Sequence, residues 1–253
     1  MHVSIGKTVE FSETDGKLRA SYHYDDPFKS FFRGLCTPKG CDVVAPPPAN
    51  HPHHKGLQFG LCLSDANFWE EDLANEPQDR KLPIGKQQTG KLQLLPAGEG
   101  VGFSQEVVWQ TAEVCSFHET RKISVNEAPG AYVWHWRTTL TAARNVEIIT
   151  SVWPGPGYCG LGLRLARDLF GDGKISPPGT QSGSIPTDVS FQGKGAEVRF
   201  EQDAKQANVL FVSFYGPGDG FAFMSLGPTN RAPRALKKGE SLDGTYVVTV
   251  ADC

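Results

Sequence analysis

Residues 131–141 read Ala-Tyr-Val-Trp-His-Trp-Arg-Thr-Thr-Leu-Thr, and they alternate without a break. Tyr132, Trp134 and Trp136 fall on one side of an extended chain, Val133, His135 and Arg137 on the other. Successive Cβ atoms of a strand point to opposite faces, so a period of two predicts a β-strand here. Working outward, the same texture recurs at Gly90–Pro96, Val101–Thr111, Val114–Val125 and Val146–Val152. Nearer the N-terminus, His2–Phe11 and Leu18–Tyr24 read as a hairpin around Thr14-Asp15-Gly16, because Asp-Gly suits a tight turn whose central residues need positive φ. Phe28–Leu35 and Gly56–Ser64 follow. Past the middle, Leu161, Leu163 and Leu165 alternate with Gly162, Arg164 and Ala166. The last third contributes Val189–Gln192, Ala196–Phe200, Val209–Tyr215, Gly220–Ser225 and Gly244–Val250.

The 28 glycines and 18 prolines of this 253-residue chain fall between these short runs, the spacing expected of an all-β sandwich. Residues 72–90 and 171–188 read as long polar loops, the second a candidate lid. One or two helical turns are expected at Asp65–Ala74 and Leu163–Leu169. There is no internal repeat. The expected architecture is all-β, one large antiparallel β-sandwich over residues 1–253.

The formal net charge of −3 argues against a sequence-independent nucleic-acid binder, which needs a strongly basic surface. Arg231–Lys238 is a short basic spot, answered at once by Glu240 and Asp243. No run approaches the ~18 apolar residues of a membrane helix, and the first residues lack the basic and apolar regions of a secretory signal. The cysteines at 36, 41, 62, 115, 159 and 253 include no C-x-x-C pair. Reduced thiols in a cytoplasmic protein are the expectation, with a Cys36–Cys41 bridge reserved for an exported chain.

Residues 46–60, Pro-Pro-Pro-Ala-Asn-His-Pro-His-His-Lys-Gly-Leu-Gln-Phe-Gly, are the first place to look for chemistry. Imidazole serves both metal ligation and proton transfer near neutral pH, and three rings stand within four residues. If the segment is extended, His51 and His53 share a side and His54 opposes them. His51 and His53 could then hold a divalent metal completed by a distant ligand, although no zinc spacing is present. His135 and His118 could join by folding; turn-capping is the plainer reading of the same histidines. Trp69-Glu70-Glu71 sets an indole beside two carboxylates, a combination suited to a sugar ring. Glu119 and Arg121 share a strand face and can pair. Arg164, among glycines and leucines, needs an anionic or multi-acceptor partner if buried. Cys159 has no base beside it and reads as a packed thiol.

Five blocks, His51–Gly60, Asn67–Glu71, Glu119–Ile123, Gly157–Leu169 and Leu236–Asp252, resemble in content and order the PmoA-like family of soluble proteins. That name points to a subunit of methane oxygenase, an integral membrane protein, and this chain has no segment able to span a bilayer. The resemblance implies instead a galactose-mutarotase-like supersandwich, a fold common among carbohydrate-active proteins, and fold analogy alone assigns no reaction. Two departures stand out. Cys159 occupies a place where an acid often precedes GLGLR, and Leu73-Ala74-Asn75 replaces a longer polar insert.

Three functions are therefore in view. The first is an enzyme (isomerase, lyase or hydrolase) acting on a sugar or similarly oxygenated small molecule. His51, His53, His54, Glu70 and His135 would do its acid–base work, and Lys55, Trp69, Glu71 and Arg164 would bind its substrate. The second is a non-catalytic glycan or metabolite binder using Trp69 and the Trp134/Trp136 strand. The third is a metal-dependent oxygenase with its metal on the histidines. A divalent metal is compatible with the sequence and not required by it, and neither nucleic acid nor membrane is an expected partner.

Overall fold

The computed structural model describes residues 1–49, 51–71, 82–150, 158–214, 222–229 and 232–253. In chain order the first strands are β1 (His2–Ile5), β2 (Val9–Ser12), β3 (Leu18–His23), β4 (Phe31–Leu35), β5 (Leu57–Gly60) and β6 (Cys62–Leu63). A run of long strands follows: β7 (Lys86–Leu94), β8 (Val101–Gln110), β9 (Cys115–Ala128) and β10 (Ala131–Ala142). Then come β11 (Val146–Ile149), β12 (Gly160–Arg164), the single turn of α1 (Arg167–Phe170), β13 (Lys174–Ser176), β14 (Asp188–Gln192) and β15 (Ala196–Gln202). The chain closes with β16 (Val209–Ser213), β17 (Phe223–Gly227), β18 (Arg234–Leu236) and β19 (Ser241–Asp252).

These strands build the large antiparallel β-sandwich expected from the sequence. One eight-stranded sheet runs β1-β2-β3-β4-β5-β12-β17-β16, and a second runs β13-β14-β15-β19-β10-β9-β8-β7. A small third sheet runs β18-β11-β6. Strand β10, carrying the 131–141 alternation, sits inside the second sheet between β9 and β19. Its Tyr132, Trp134 and Trp136 are buried in the space between the sheets. Trp134 meets Phe11 edge-on at 4.9 Å and Phe32 at 5.1 Å, so aromatic packing welds the second sheet to β2 and β4 of the first. Trp134 and Trp136 thus have no face open to a ligand, which corrects the part given to them in the second reading of the sequence.

The same core holds one polar island. Arg121 lies 2.7 Å from Glu119 through Nε and donates to the Tyr22 hydroxyl at 2.7 Å. Trp109 Nε1 and the Thr138 hydroxyl donate to the two oxygens of Glu119. The guanidinium also lies 4.9 Å from the Trp136 ring centroid. A fully buried ion pair is tolerated because nearly every lone pair and N–H is engaged.

Several expected boundaries move. His2–Phe11 divides into β1 and β2, because a turn at Gly6 (N–H to Thr8 O, 2.9 Å) lets the chain fold back on itself. Gly56–Ser64 divides at Leu61, where the chain leaves the first sheet for the small one. The expected helix over Leu163–Leu169 shrinks to α1, since Leu163 and Arg164 belong to β12. The loop 171–188 contains β13, which pairs with β14, and the basic spot contains β18. At Asp65–Ala74 the described part forms bends and no helix; residues 72–81, with Leu73-Ala74-Asn75, lie outside the described residues. So do 151–152, 215 and 220–221 of three expected strands. All six cysteines are free thiols, Cys36 and Cys41 included.

Candidate active site

The site is assembled on the outer face of the first sheet, across its central strands β5, β12 and β17. In β12 the leucines face the core, and Gly160, Gly162 and Arg164 face outward. Gly162 lies opposite Gln58 of β5 and Ser225 of β17. The glycines are there to make room. A Cβ on Gly60 would come 3.0 Å from Trp69 Cε3, and one on Gly162 would come 3.1 Å from Trp69 Cη2. The indole therefore lies flat on bare backbone and is fully buried. Asn67 fixes the turn that delivers it, its side-chain oxygen accepting the N–H groups of Trp69 and Glu70, both at 2.9 Å.

The histidine segment folds as a turn rather than a strand. The N–H of His54 donates to His51 O at 3.1 Å and that of His51 to Pro48 O at 3.0 Å. All three rings consequently converge, correcting the expectation that His54 would oppose the other two. Ring centroids lie 4.3 Å apart for His53–His54, 5.1 Å for His51–His54 and 5.7 Å for His51–His53. Gly56 ends the turn at φ +129, where a Cβ would sit 2.0 Å from the Phe32 carbonyl oxygen, so only glycine fits. His54 stacks on Phe223 at 4.5 Å and 11°.

The polar contacts of this cluster form a chain with a direction. Arg164 Nη1 donates to His54 Nδ1 at 3.3 Å, and a guanidinium has no acceptor to offer. Nδ1 of His54 is thus a lone pair, and the proton of the neutral ring sits on Nε2, which donates to the Tyr158 hydroxyl at 2.6 Å. That hydroxyl in turn donates to His53 Nε2 at 3.1 Å. His53 Nδ1 then carries the ring proton 2.7 Å from Glu70 Oε2, a separation two lone pairs could not hold. The other oxygen of Glu70 is buried without a hydrogen-bond partner among the described residues. Desolvation, aided by the neighbouring imidazoles and Arg164, pushes His54 well below the ordinary histidine pKa and keeps it neutral. Desolvation lowers His51 as well, and burial raises the Tyr158 phenol well above its usual value. His53, His54, Glu70, Tyr158 and Arg164 are buried, and the half-buried His51 is the most exposed of the three rings.

A second network braces the first. Lys55 pairs with Asp26 at 2.6 Å and with Glu71 at 2.7 Å, and Lys29 pairs with Glu71 at 3.1 Å. Lys29 is fully buried and also donates to the carbonyls of Trp69 and His53.

Of the residues singled out in the sequence, His51, His53, His54, Lys55, Trp69, Glu70, Glu71 and Arg164 come together here. Trp69 is the floor beneath the rings, with no face open for stacking. His135 does not join them. It faces away from the core on the second sheet, accepts at Nε2 from the Asn126 amide nitrogen at 3.0 Å, and lines a separate hollow of about 370 Å³ with Lys122, Ser124 and Arg137. His118 lies on the same sheet, exposed beside Cys115. For the proposed metal pair, both nitrogens of His53 are engaged, by Glu70 and by Tyr158. Among the described residues no set of three or more His, Cys, Asp or Glu side chains is grouped to hold a metal ion. Cys159 packs with Cys62, Sγ to Sγ 3.5 Å, in a small apolar cluster with Trp69, Tyr158 and Phe223. Tyr158, Lys29 and Asp26 were not signalled by the sequence. A tyrosine ahead of a glycine-rich strand looks like core, and a lysine next to Phe31-Phe32 looks like an exposed strand start.

Fold and site together define an antiparallel β-sandwich bearing a buried histidine–carboxylate–tyrosine cluster on one outer sheet face. Residues 12–253 match the family of unknown function DUF6807, and the chain belongs to that family. This comparison returns that family rather than the PmoA-like one. No curated protein matches the sequence. Among solved structures, GH36 alpha-galactosidase AgaB from Geobacillus stearothermophilus is similar at TM-score 0.49 and 11% identity, over 100% of this chain and 41% of that one. GH36 alpha-galactosidase AgaA from the same organism, in complex with stachyose, gives TM-score 0.47 and 10% identity over 100% and 40%. The galactosidase domain of AgaSK gives 0.47 and 11% over 99% and 42%. This chain thus spans about two fifths of those proteins' length, and no chemistry follows from so distant a likeness. No helix among the described residues is long and apolar enough to cross a membrane.

Proposed function

We propose that this protein is an enzyme that moves protons on an oxygen-rich, sugar-like small molecule, with His53 and Glu70 as its acid–base pair. The directional chain Arg164–His54–Tyr158–His53–Glu70 is the observation that carries the reading. It leaves Nε2 of His53 as the proton-accepting atom, with a carboxylate behind Nδ1 to stabilise the charge that develops. Tyr158 already donates to that atom: as its hydroxyl proton moves to His53 Nε2, the phenol oxygen takes the substrate's proton, so the phenol ends protonated as it began and His54 keeps its own proton. His51 is the most exposed of the three rings. Isomerisation, lyase and hydrolytic chemistry all begin with such a transfer.

The glycan-binding alternative depended on aromatic faces, and Trp69, Trp134 and Trp136 are all buried. An oxygenase metal on His51 and His53 would have to displace Tyr158 or Glu70 from His53. The test is a screen of neutral mono- and disaccharides in deuterated water, scored by mass spectrometry for incorporated label and by product formation, with wild type and His53→Gln. Turnover reduced 10²-fold or more in the variant at near-constant ligand affinity supports the proposal. Equal turnover refutes it.

A further inference from the structure

Lys29 lies outside the chain just described, yet its ammonium is among the most deeply buried charges in the molecule. A buried ammonium is tolerated only when its donors are used, and the identity of its acceptors is informative. Its hydrogen-bond acceptors are the carbonyls of His53 (3.5 Å) and of Trp69, and the Glu71 carboxylate lies within ion-pair distance at 3.1 Å. The first belongs to the residue carrying the imidazole, and the other two flank Glu70 on either side. One side chain, projecting from the approach to β4, therefore grips both segments whose meeting sets the 2.7 Å contact between His53 and Glu70. Lys55 is shared between Asp26 (2.6 Å) and Glu71 (2.7 Å), so Lys29 also balances Glu71, but charge balance does not account for its contacts with the two carbonyls.

We propose that Lys29 is a positioning residue that holds the His53 ring against the Glu70 carboxylate through its grip on the two backbone carbonyls. The role takes its importance from the acid–base reading, but its test does not need a substrate. In protein labelled with ¹⁵N-histidine, the His53 Nδ1 proton facing Glu70 is expected to give a low-field signal in wild type, and its absence there overturns the proposal. Lys29→Met removes the grip, and the signal is expected to weaken or vanish as the ring samples both tautomers, while far-ultraviolet circular dichroism stays that of wild type. Glu71→Gln removes the charge partner and keeps both carbonyl contacts, so the signal is expected to persist. An unchanged signal in Lys29→Met overturns the proposal. So does its loss in Glu71→Gln, which would show the lysine acting through charge alone. Should Lys29→Met fail to fold, Lys29→Gln, with a shorter and uncharged donor, is expected to show a weakened signal, and an unchanged one overturns the idea equally. Absence of turnover on any sugar would count against the acid–base function and leave these spectra as they are.

Discussion

Replacing Tyr158 with Phe removes a single oxygen from the centre of the chain. That oxygen accepts from His54 Nε2 at 2.6 Å and donates to His53 Nε2 at 3.1 Å. Both rings are buried, 0% and 5% exposed, so water does not replace it freely. Each buried polar group left without a partner costs about 1–3 kcal/mol. The two rings are close enough, at 4.3 Å between centroids, to regain part of that by turning toward each other. A net loss of about 2 kcal/mol is therefore expected, equivalent to a melting temperature about 4–8 °C lower for a chain of this size. Urea denaturation of Tyr158→Phe measures it. Tyr24→Phe is the control: its hydroxyl donates to Gly6 O near the surface, where loss of one hydrogen bond should cost at most about 1 kcal/mol. A Tyr158→Phe protein within about 0.5 kcal/mol of wild type, the range of an ordinary surface change, would refute the chain as a stabilising unit.

Other outcomes follow from the same geometry. Gly162→Ala places a methyl 2.7 Å from the Phe223 ring and 3.1 Å from Trp69, and is expected to cost about 1–3 kcal/mol of stability by overpacking; an unchanged denaturation midpoint would mean the indole does not lie on that glycine. Arg121→Met strands Glu119 in the core and is expected to cost about 3–5 kcal/mol, read in the same assay; a loss below about 1 kcal/mol would contradict a buried pair. For pH, His54 and His51 have folded-state values below 6.5, so across that window the unfolded chain binds more protons and stability rises with pH. Denaturation at pH 5.5 should thus show a weaker fold than at pH 7.5, and His54→Gln should narrow the gap; an equal gap in the variant removes His54 as its source. Finally, the exposed Cys253 should react with a thiol reagent in the native protein, and the buried Cys62 and Cys159 only on unfolding, because burial raises the Cys159 thiol.

The strands were legible because burial writes itself as alternation. Residues 131–141 and the Leu161–Leu163–Leu165 series each placed their apolar side in the core, and the Gly-Leu-Gly-Leu-Arg run also placed Gly162 and Arg164 on the site face. Most members of the candidate site were legible too, because the histidines and Trp69-Glu70-Glu71 are dense clusters of uncommon types. What the pattern could not convey was conformation within a cluster: a turn at 51–54, not an extended run, decides that His54 joins the others. Nor could it convey long-range partners. Tyr158 is 105 residues from His53 and Lys29 is 40 from Trp69, and nothing local marks either pairing. His135 was drawn in by its type alone; the alternation that buries Trp134 and Trp136 also turns it away from the first sheet.

The tautomers of His53 and His54 test the account most directly, since the whole chain follows from Arg164 donating to Nδ1 of His54. Long-range ¹⁵N–¹H correlation spectra of histidine-labelled wild type at pH 7.5 report which nitrogen of each ring bears the proton. The account predicts His54 neutral and protonated at Nε2, and His53 carrying its proton at Nδ1. His53 protonated at Nε2, or His54 at Nδ1, would break the chain at its first link and take the proposed acid–base role with it.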